Sequence, residues 1–224
     1  MAQQESMHRY VVQLESDIGR GLGVVVRDHI LTCAHLFGVF KGTRGVMLSL
    51  KATIPEDGRT SEYFVQTLDC LLDFMVLGYS PIFQEIVGDL QIGLEEIEPH
   101  IIPQELVFPE GVDHVDIPVY FFLPDGKTPV HAEARISRHS PLIHVDAASL
   151  AGCSGGPVFT ADHHLIGILL GGRKLEGQET EITHAVRIDL AATEWFRREV
   201  GGLQPLNLGR YVSAAAMNPE RKNA

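Results

Sequence analysis

One serine of this sequence lies on a glycine-rich turn, Gly-Cys-Ser-Gly-Gly-Pro at residues 152–157. Covalent acyl transfer needs a hydroxyl held in the open, with backbone N–H groups beside it to receive an oxyanion. Gly152 lets the backbone turn where a Cβ would interfere, and the two glycines after Ser154 let a strand or a substrate approach closely. The turn therefore predicts a nucleophilic Ser154, provided that a base and its partner exist elsewhere in the chain.

A histidine and an aspartate suited to these roles precede the serine. His35 follows the apolar run Ile30–Thr32, and Asp73 lies within the apolar run Leu71–Leu77. Taken singly, a serine on such a turn is more often a turn residue, and an aspartate in an apolar run is more often a paired buried carboxylate. Taken together in this order, the three predict a triad in which Ser154 attacks, His35 takes the proton and Asp73 holds the imidazole tautomer.

The order His, Asp, Ser and the surrounding residues resemble the trypsin-like serine protease superfamily, most closely its HtrA/Deg branch. The matching stretches, between residues 20 and 190, are Gly23–Val26, Leu31–His35, Leu72–Leu77, Asp146–Ala148, Gly152–Pro157, Ile166–Ile168 and Ala185–Asp189. The resemblance implies an all-β fold of two six-stranded antiparallel barrels of the chymotrypsin type with a C-terminal helix. It also implies an oxyanion hole formed by the N–H groups of Gly152 and Ser154.

The resemblance further implies where the primary specificity pocket lies, with its base near Ala148 and its wall near Leu170, Gly171 and Gly172. Cleavage after Lys or Arg needs an acid at that base, and Ala148 offers none. An apolar pocket for a small or medium aliphatic side chain is therefore expected. Arg173 and His184 are close in sequence to the wall and could instead attract an acidic residue.

Short apolar runs alternate with turn residues along most of the chain, which is typical of an all-β protein. We expect a single peptidase domain, with no room for the PDZ domain usual in HtrA proteins. Its predicted parts are an N-terminal barrel at 8–80, a crossover at 81–116, a C-terminal barrel at 117–188, a helix at 189–202 and a tail at 203–224.

Only the stretch around Trp195 has a helical pattern, because its apolar residues recur at helical spacing. We expect Asp189 to cap this helix, Glu194 to pair with Arg198 one turn later, and Gly201-Gly202 to end it.

Charge and cysteine content exclude several classes of function. With 29 acidic and 18 basic residues, the net charge of −11 argues against binding nucleic acid or anionic membranes. Three cysteines cannot form a full disulfide set, Met1–Asp17 has no signal-peptide pattern, and no apolar stretch approaches ~20 residues. We therefore expect a cytoplasmic protein.

Two further places in the sequence, Cys153 and His163-His164, have alternative interpretations. Cys153 stands where trypsin-type enzymes carry an acid that pairs with a newly cut N-terminus, so that mode of activation is not expected. It is either a small buried filler or a redox-sensitive residue beside the nucleophile. His163-His164 has no third ligand nearby, so we expect no metal site and no cofactor.

The sequence thus predicts an intracellular serine endopeptidase that acts on proteins or peptides and has a regulatory protein as a further candidate partner. One alternative is a catalytically silent module that keeps the fold for peptide or protein binding. Another is a protease module of a larger signalling or defence protein.

Overall fold

The computed structural model describes residues 4–16, 19–27, 29–37, 49–55, 58–78, 101, 103–149, 151–173, 182–191, 193–199 and 201–212. Most of the predicted crossover therefore lies outside the described residues. Strands make up most of what is described, as the alternation of apolar runs and turns predicts.

The first six strands close into an antiparallel barrel in the order β1-β2-β3-β6-β5-β4. Their bounds are β1 Val11–Ser16, β2 Gly19–Val26, β3 His29–Cys33, β4 Ser49–Thr53, β5 Thr60–Asp69 and β6 Phe74–Gly78. Strands β3 and β6 are buried along their whole length, which explains their nearly continuous apolar sequences. Their apolar side chains belong to one buried core.

A short strand, β7 (Gln104–Val107), precedes the second barrel. The barrel strands are β8 His114–Phe122, β9 Pro129–Ser137, β10 Leu142–Val145, β11 Pro157–Thr160, β12 Leu165–Arg173 and β13 Ile182–Arg187. They close in the order β10-β13-β12-β11-β8-β9, and every pair is antiparallel. The predicted pair of six-stranded antiparallel barrels is confirmed.

The C-terminal helix, α1 (Thr193–Glu199), is shorter than predicted. Asp189 does not cap it, because its carboxylate pairs with Arg187 at 2.7 Å and accepts the Leu106 N–H at 3.2 Å. That prediction was wrong because a buried guanidinium, which requires a charged partner, takes the carboxylate.

The predicted pair within the helix is also wrong. Glu194 bonds Arg197 at 2.7 Å, one residue short of the expected Arg198, which bonds Glu199 instead. The glycine stop is confirmed, since Gly202 donates its N–H to Phe196 O at 3.1 Å just beyond the end of the helix.

The predicted tail carries a strand that the sequence did not reveal. This strand, β14 (Gln204–Asn207), pairs in parallel with β7. Three 3-10 helices complete the described elements, at Gln4–Tyr10, Ala34–Phe37 and Leu208–Tyr211. Within the described part of the chain, no helix has the length and apolar character needed to cross a membrane.

The barrels touch through apolar and polar contacts. The buried core of the first barrel continues into side chains of the second, including Phe122, Phe159 and Ile168. At one edge of the contact, Gln13 Nε2 donates to Pro124 O at 2.9 Å. The candidate residues lie along this boundary.

Candidate active site

The loop that carries Ser154 belongs to the second barrel and packs against the first. The N–H of Leu22 in β2 donates to Ser154 O at 2.8 Å, and the Gly155 N–H donates to Leu169 O at 2.7 Å. Gly155 has a φ of 83°, and a Cβ there would lie 2.1 Å from Thr32 Oγ1 and 2.2 Å from Leu22 O. Only glycine satisfies both constraints, so the close approach expected after Ser154 occurs, and it brings the loop against the first barrel.

His35 and Asp73 meet because two neighbouring strands end beside each other. His35 follows β3, Asp73 precedes β6, and the two strands pair Cys33 with Phe74. Asp73 Oδ1 accepts the backbone N–H of His35 at 2.7 Å, and Oδ2 lies 2.7 Å from His35 Nδ1. Since a carboxylate can only accept, the ring proton is assigned to Nδ1, and Nε2 keeps its lone pair.

The turn that presents Asp73 differs from the buried run that the sequence suggested. Leu71 at its tip is 97% exposed, and Asp69 Oδ1 accepts the N–H groups of Leu71 and Leu72, each at 3.0 Å. Asp73 itself has a φ of 53°, a conformation that aspartate tolerates better than most residues. A capped turn therefore orients the carboxylate, and the apolar sequence gave no signal of it.

Ser154 and His35 each have a hydrogen-bond partner other than the expected one. Ser154 Oγ donates to Leu170 O at 3.3 Å, while His35 Nε2 lies 3.6 Å from Cys33 Sγ. Among the described residues, no hydrogen bond joins His35 to Ser154. The side chain of His35 is 35% exposed and that of Asp73 is 22% exposed, so solvent and a ligand can reach both.

The two N–H groups expected to hold an oxyanion belong to Gly152 and Ser154. Gly152 is half-buried with a φ of 96°, and a Cβ there would lie 3.2 Å from Pro124 Cβ. Within the described ranges, neither N–H donates to an acceptor. Both are therefore available to a ligand.

The predicted pocket wall lies beside the nucleophile. A Cβ on Gly171, whose φ is 116°, would lie 3.2 Å from Ser154 Oγ. Gly172 is exposed, and Leu170 is half-buried with its carbonyl bonded to Ser154. This end of β12 therefore runs past Ser154.

The residue predicted for the pocket base is exposed to solvent. Ala148 is exposed in the segment after β10, and the neighbouring Ala147 O accepts the Thr183 hydroxyl at 2.6 Å. Thr183 is fully buried and was not singled out from the sequence, although a threonine between apolar residues of a strand was the available signal. It adds a polar group behind the base.

The two residues considered for acidic substrates differ in what the structure describes. His184 lies opposite Gly171 in the pairing of β12 with β13, and its ring is 4.9 Å from that of His144. The side chain of Arg173 lies outside the described residues. Of the two residues, His184 is therefore the one whose position beside the predicted wall is described.

The remaining histidine and cysteine candidates have separate partners. His163 Nδ1 lies 2.6 Å from Tyr120 Oη, and His164 Nε2 lies 3.5 Å from Asp162 Oδ2. No group of three metal-binding side chains occurs among the residues that are described. Cys153 is fully buried in the core of the second barrel, which agrees with a small filler.

A cavity of about 300 Å³ lies beside the Ser154 loop, on the side of Gly152. The β1–β2 hairpin contributes Glu15 and Arg20 to its lining, and the second barrel contributes Pro124 and Ala151. Arg20 and Glu15 pair across the hairpin, so the mouth of the cavity is polar.

Neither a protein-family model nor a curated protein sequence matches this chain. Solved structures do match it. The serine protease of a human pathogenic astrovirus has a TM-score of 0.51 and 14% identity, over 81% of this chain and 91% of its own. The serine endoprotease from Yersinia pestis has a TM-score of 0.57 and 21% identity, over 89% of this chain and 66% of its own.

The HtrA-type protease AlgW, in a structure with a tripeptide, has a TM-score of 0.54 and 20% identity, over 90% of this chain and 64% of its own. This chain therefore spans about two thirds of the length of the two bacterial proteases. At these identities the comparisons establish architecture, and the chain has the chymotrypsin fold of trypsin-like serine proteases.

Proposed function

We propose that this protein is a serine endopeptidase that cleaves peptide bonds through an acyl-enzyme on Ser154. The observation that carries the proposal is the bond of Asp73 to His35 through both carboxylate oxygens, which leaves Nε2 of the ring as a hydrogen-bond acceptor. The chymotrypsin fold supports this chemistry by analogy, and the geometry of the site residues is its physical basis.

Each group then has a defined role in the reaction. Ser154 Oγ forms a bond to the scissile carbonyl carbon while its proton passes to His35 Nε2, and Asp73 stabilises the imidazolium that results. The N–H groups of Gly152 and Ser154 would bind the oxyanion, which is consistent with their lack of other acceptors in the described structure. His35 then gives the proton to the leaving amine, and water completes the cycle as the second nucleophile.

We infer that the substrate is an extended stretch of a protein or peptide. Gly171 lies beside Ser154 and the next residue, Gly172, is exposed, which suits the backbone of such a strand. We propose a cytoplasmic setting from the few cysteines, and a regulatory protein as a further partner.

The test is labelling by a fluorophosphonate, which reacts with an activated serine. The wild-type protein should be labelled and should cleave members of a peptide library, and Ser154→Ala should lose both activities. Ser140→Ala is the matched control, because Ser140 lies in the β9–β10 turn, where its hydroxyl oxygen accepts the Leu142 N–H at 3.0 Å. Labelling of Ser154→Ala at the wild-type rate would refute the proposal.

A catalytically silent binding module is the second candidate. The observation that favours it is that Ser154 Oγ bonds Leu170 O at 3.3 Å rather than His35. Such a module would bind library peptides without cleaving them, and its Ser154 would not react with the fluorophosphonate. The same experiment therefore separates the two candidates.

A further inference from the structure

The thiol of Cys33 lies directly against the ring of His35. Cys33 is the last residue of β3 and is fully buried. Its Sγ is 3.6 Å from His35 Nε2, which is a hydrogen-bonding distance for sulfur. The nitrogen that it contacts is the one that must take the proton from Ser154.

The surroundings determine which of the two groups donates. Asp73 Oδ2 accepts a hydrogen bond from the Nδ1–H of His35, so Nε2 is an acceptor. Burial, reinforced by the negative charge of Asp73, raises the pKa of the Cys33 thiol well above its ordinary value. The thiol therefore keeps its proton at neutral pH and can donate it in a bond to Nε2, and the same burial excludes Cys33 as a nucleophile.

The hydroxyl of Ser154 has a different partner at the same time. Its Oγ donates to Leu170 O at 3.3 Å. Both members of the proton-transfer pair are thus bonded elsewhere in the substrate-free site. Before Ser154 can attack, both contacts must break and Oγ must turn towards Nε2.

We propose that Cys33 is a positioning residue that restrains the protease site, because its thiol occupies Nε2 of His35 until Ser154 turns to attack the bound substrate. The inference rests on the proposed function and names a control of that same site. It involves no covalent or redox step, only the exchange of one hydrogen bond for another. Since a thiol is a weak donor, its removal should shift the balance towards the reactive arrangement about two- to fivefold.

Three cysteine variants test the restraint. Cys33→Ala should raise the rate constant for fluorophosphonate labelling of Ser154 and the kcat for peptides about two- to fivefold, with KM unchanged. Cys33→Ser keeps a donor of similar size and should stay near the wild-type rate. Cys70→Ala removes an exposed cysteine and is the matched control. The proposal would be overturned if Ser154 of Cys33→Ala were labelled at or below the wild-type rate. Equal gains in labelling rate for Cys33→Ala and Cys33→Ser would also overturn it.

A spectroscopic measurement keeps the test independent of catalysis and of how Cys33→Ala folds. The S–H stretching band of Cys33 in a Raman spectrum should lie at lower frequency in the wild-type protein than in His35→Ala, because a donated hydrogen bond weakens the S–H bond. The same band position in both proteins would overturn the contact. If no variant is labelled, the peptidase proposal fails, whereas an unchanged band or an unchanged labelling rate counts against Cys33 alone.

Discussion

Replacing Asp73 by asparagine should prevent His35 from acting as a base while the shape of the site is kept. The carboxylate accepts two bonds from one residue, the backbone N–H and the Nδ1–H of His35, each at 2.7 Å. An amide has one acceptor oxygen, so once that oxygen takes the backbone N–H, its NH₂ group faces Nδ1 and can only donate. The ring proton is then forced onto Nε2, which can no longer accept a proton from Ser154.

The expected loss in kcat/KM is about 10⁴-fold, the size seen for this exchange in a Ser-His-Asp triad, or about 5.5 kcal/mol at 1.36 kcal/mol per decade. Peptide hydrolysis and fluorophosphonate labelling measure the loss, and thermal unfolding should show a folded protein.

Asp69→Asn is the matched control in the same turn. Asp69 uses a single oxygen to accept two N–H groups, and asparagine retains that oxygen, so activity should stay near the wild-type rate. A folded Asp73→Asn that keeps more than about a tenth of the activity would refute the reasoning. An equal loss in Asp69→Asn would assign the effect to the shape of the turn.

Three further outcomes follow from the structure. Gly155→Ala should lower the free energy of unfolding by more than ~3 kcal/mol in urea titrations, through its positive φ and the clash with the first barrel. Gly19→Ala, whose Cβ would meet nothing within 4 Å, should change it little, and equal effects would contradict the argument. Burial lowers the pKa of His163 and of His164, so below ~6.5 the folded protein binds fewer protons than the unfolded chain. The stability that these histidines contribute is present above that pH and is lost as pH falls through the folded values. His163→Asn should therefore flatten the acid limb of Tm against pH, and an unchanged limb would exclude that histidine as a cause. Library profiling should show cleavage after Val, Ala or Leu, because Ala148, the predicted pocket base, carries no charge, whereas a dominant Lys or Arg preference would mean that the register is wrong.

The sequence predicts most of the barrels because their strands combine apolar runs with clear turns. The apolar run Leu142–Val145, for example, lies between Pro141 and Asp146 in the sequence, and it forms β10 with these bounds. The position of Ser154 was readable for a similar reason, because a turn with a positive φ and close backbone contacts requires glycine, and glycine is visible in a sequence.

The features that the sequence did not reveal depend on partners distant in the chain. The parallel pair β7–β14 joins two four-residue segments, one of which contains Pro205, and neither has enough residues for a periodic pattern. The start of α1 was misplaced because a cap was expected at Asp189, whereas the carboxylate of Asp189 forms a buried ion pair with Arg187. The contact between Cys33 and His35 depends on side-chain rotamers, for which the sequence carries no signal.

In the proposed peptidase, the bond between Leu22 and Ser154 makes activity depend on the packing of the two barrels against each other. His35 and Asp73 belong to the first barrel, and the nucleophile belongs to a loop of the second that is shaped by contact with the first. A newly made chain with only one finished barrel would thus hold an incomplete set of groups and could not cleave its neighbours. Under mild denaturant, the same dependence should make proteolysis disappear before the strands melt. Turnover in such a protein reports on the docking of its two halves more sensitively than its secondary structure does.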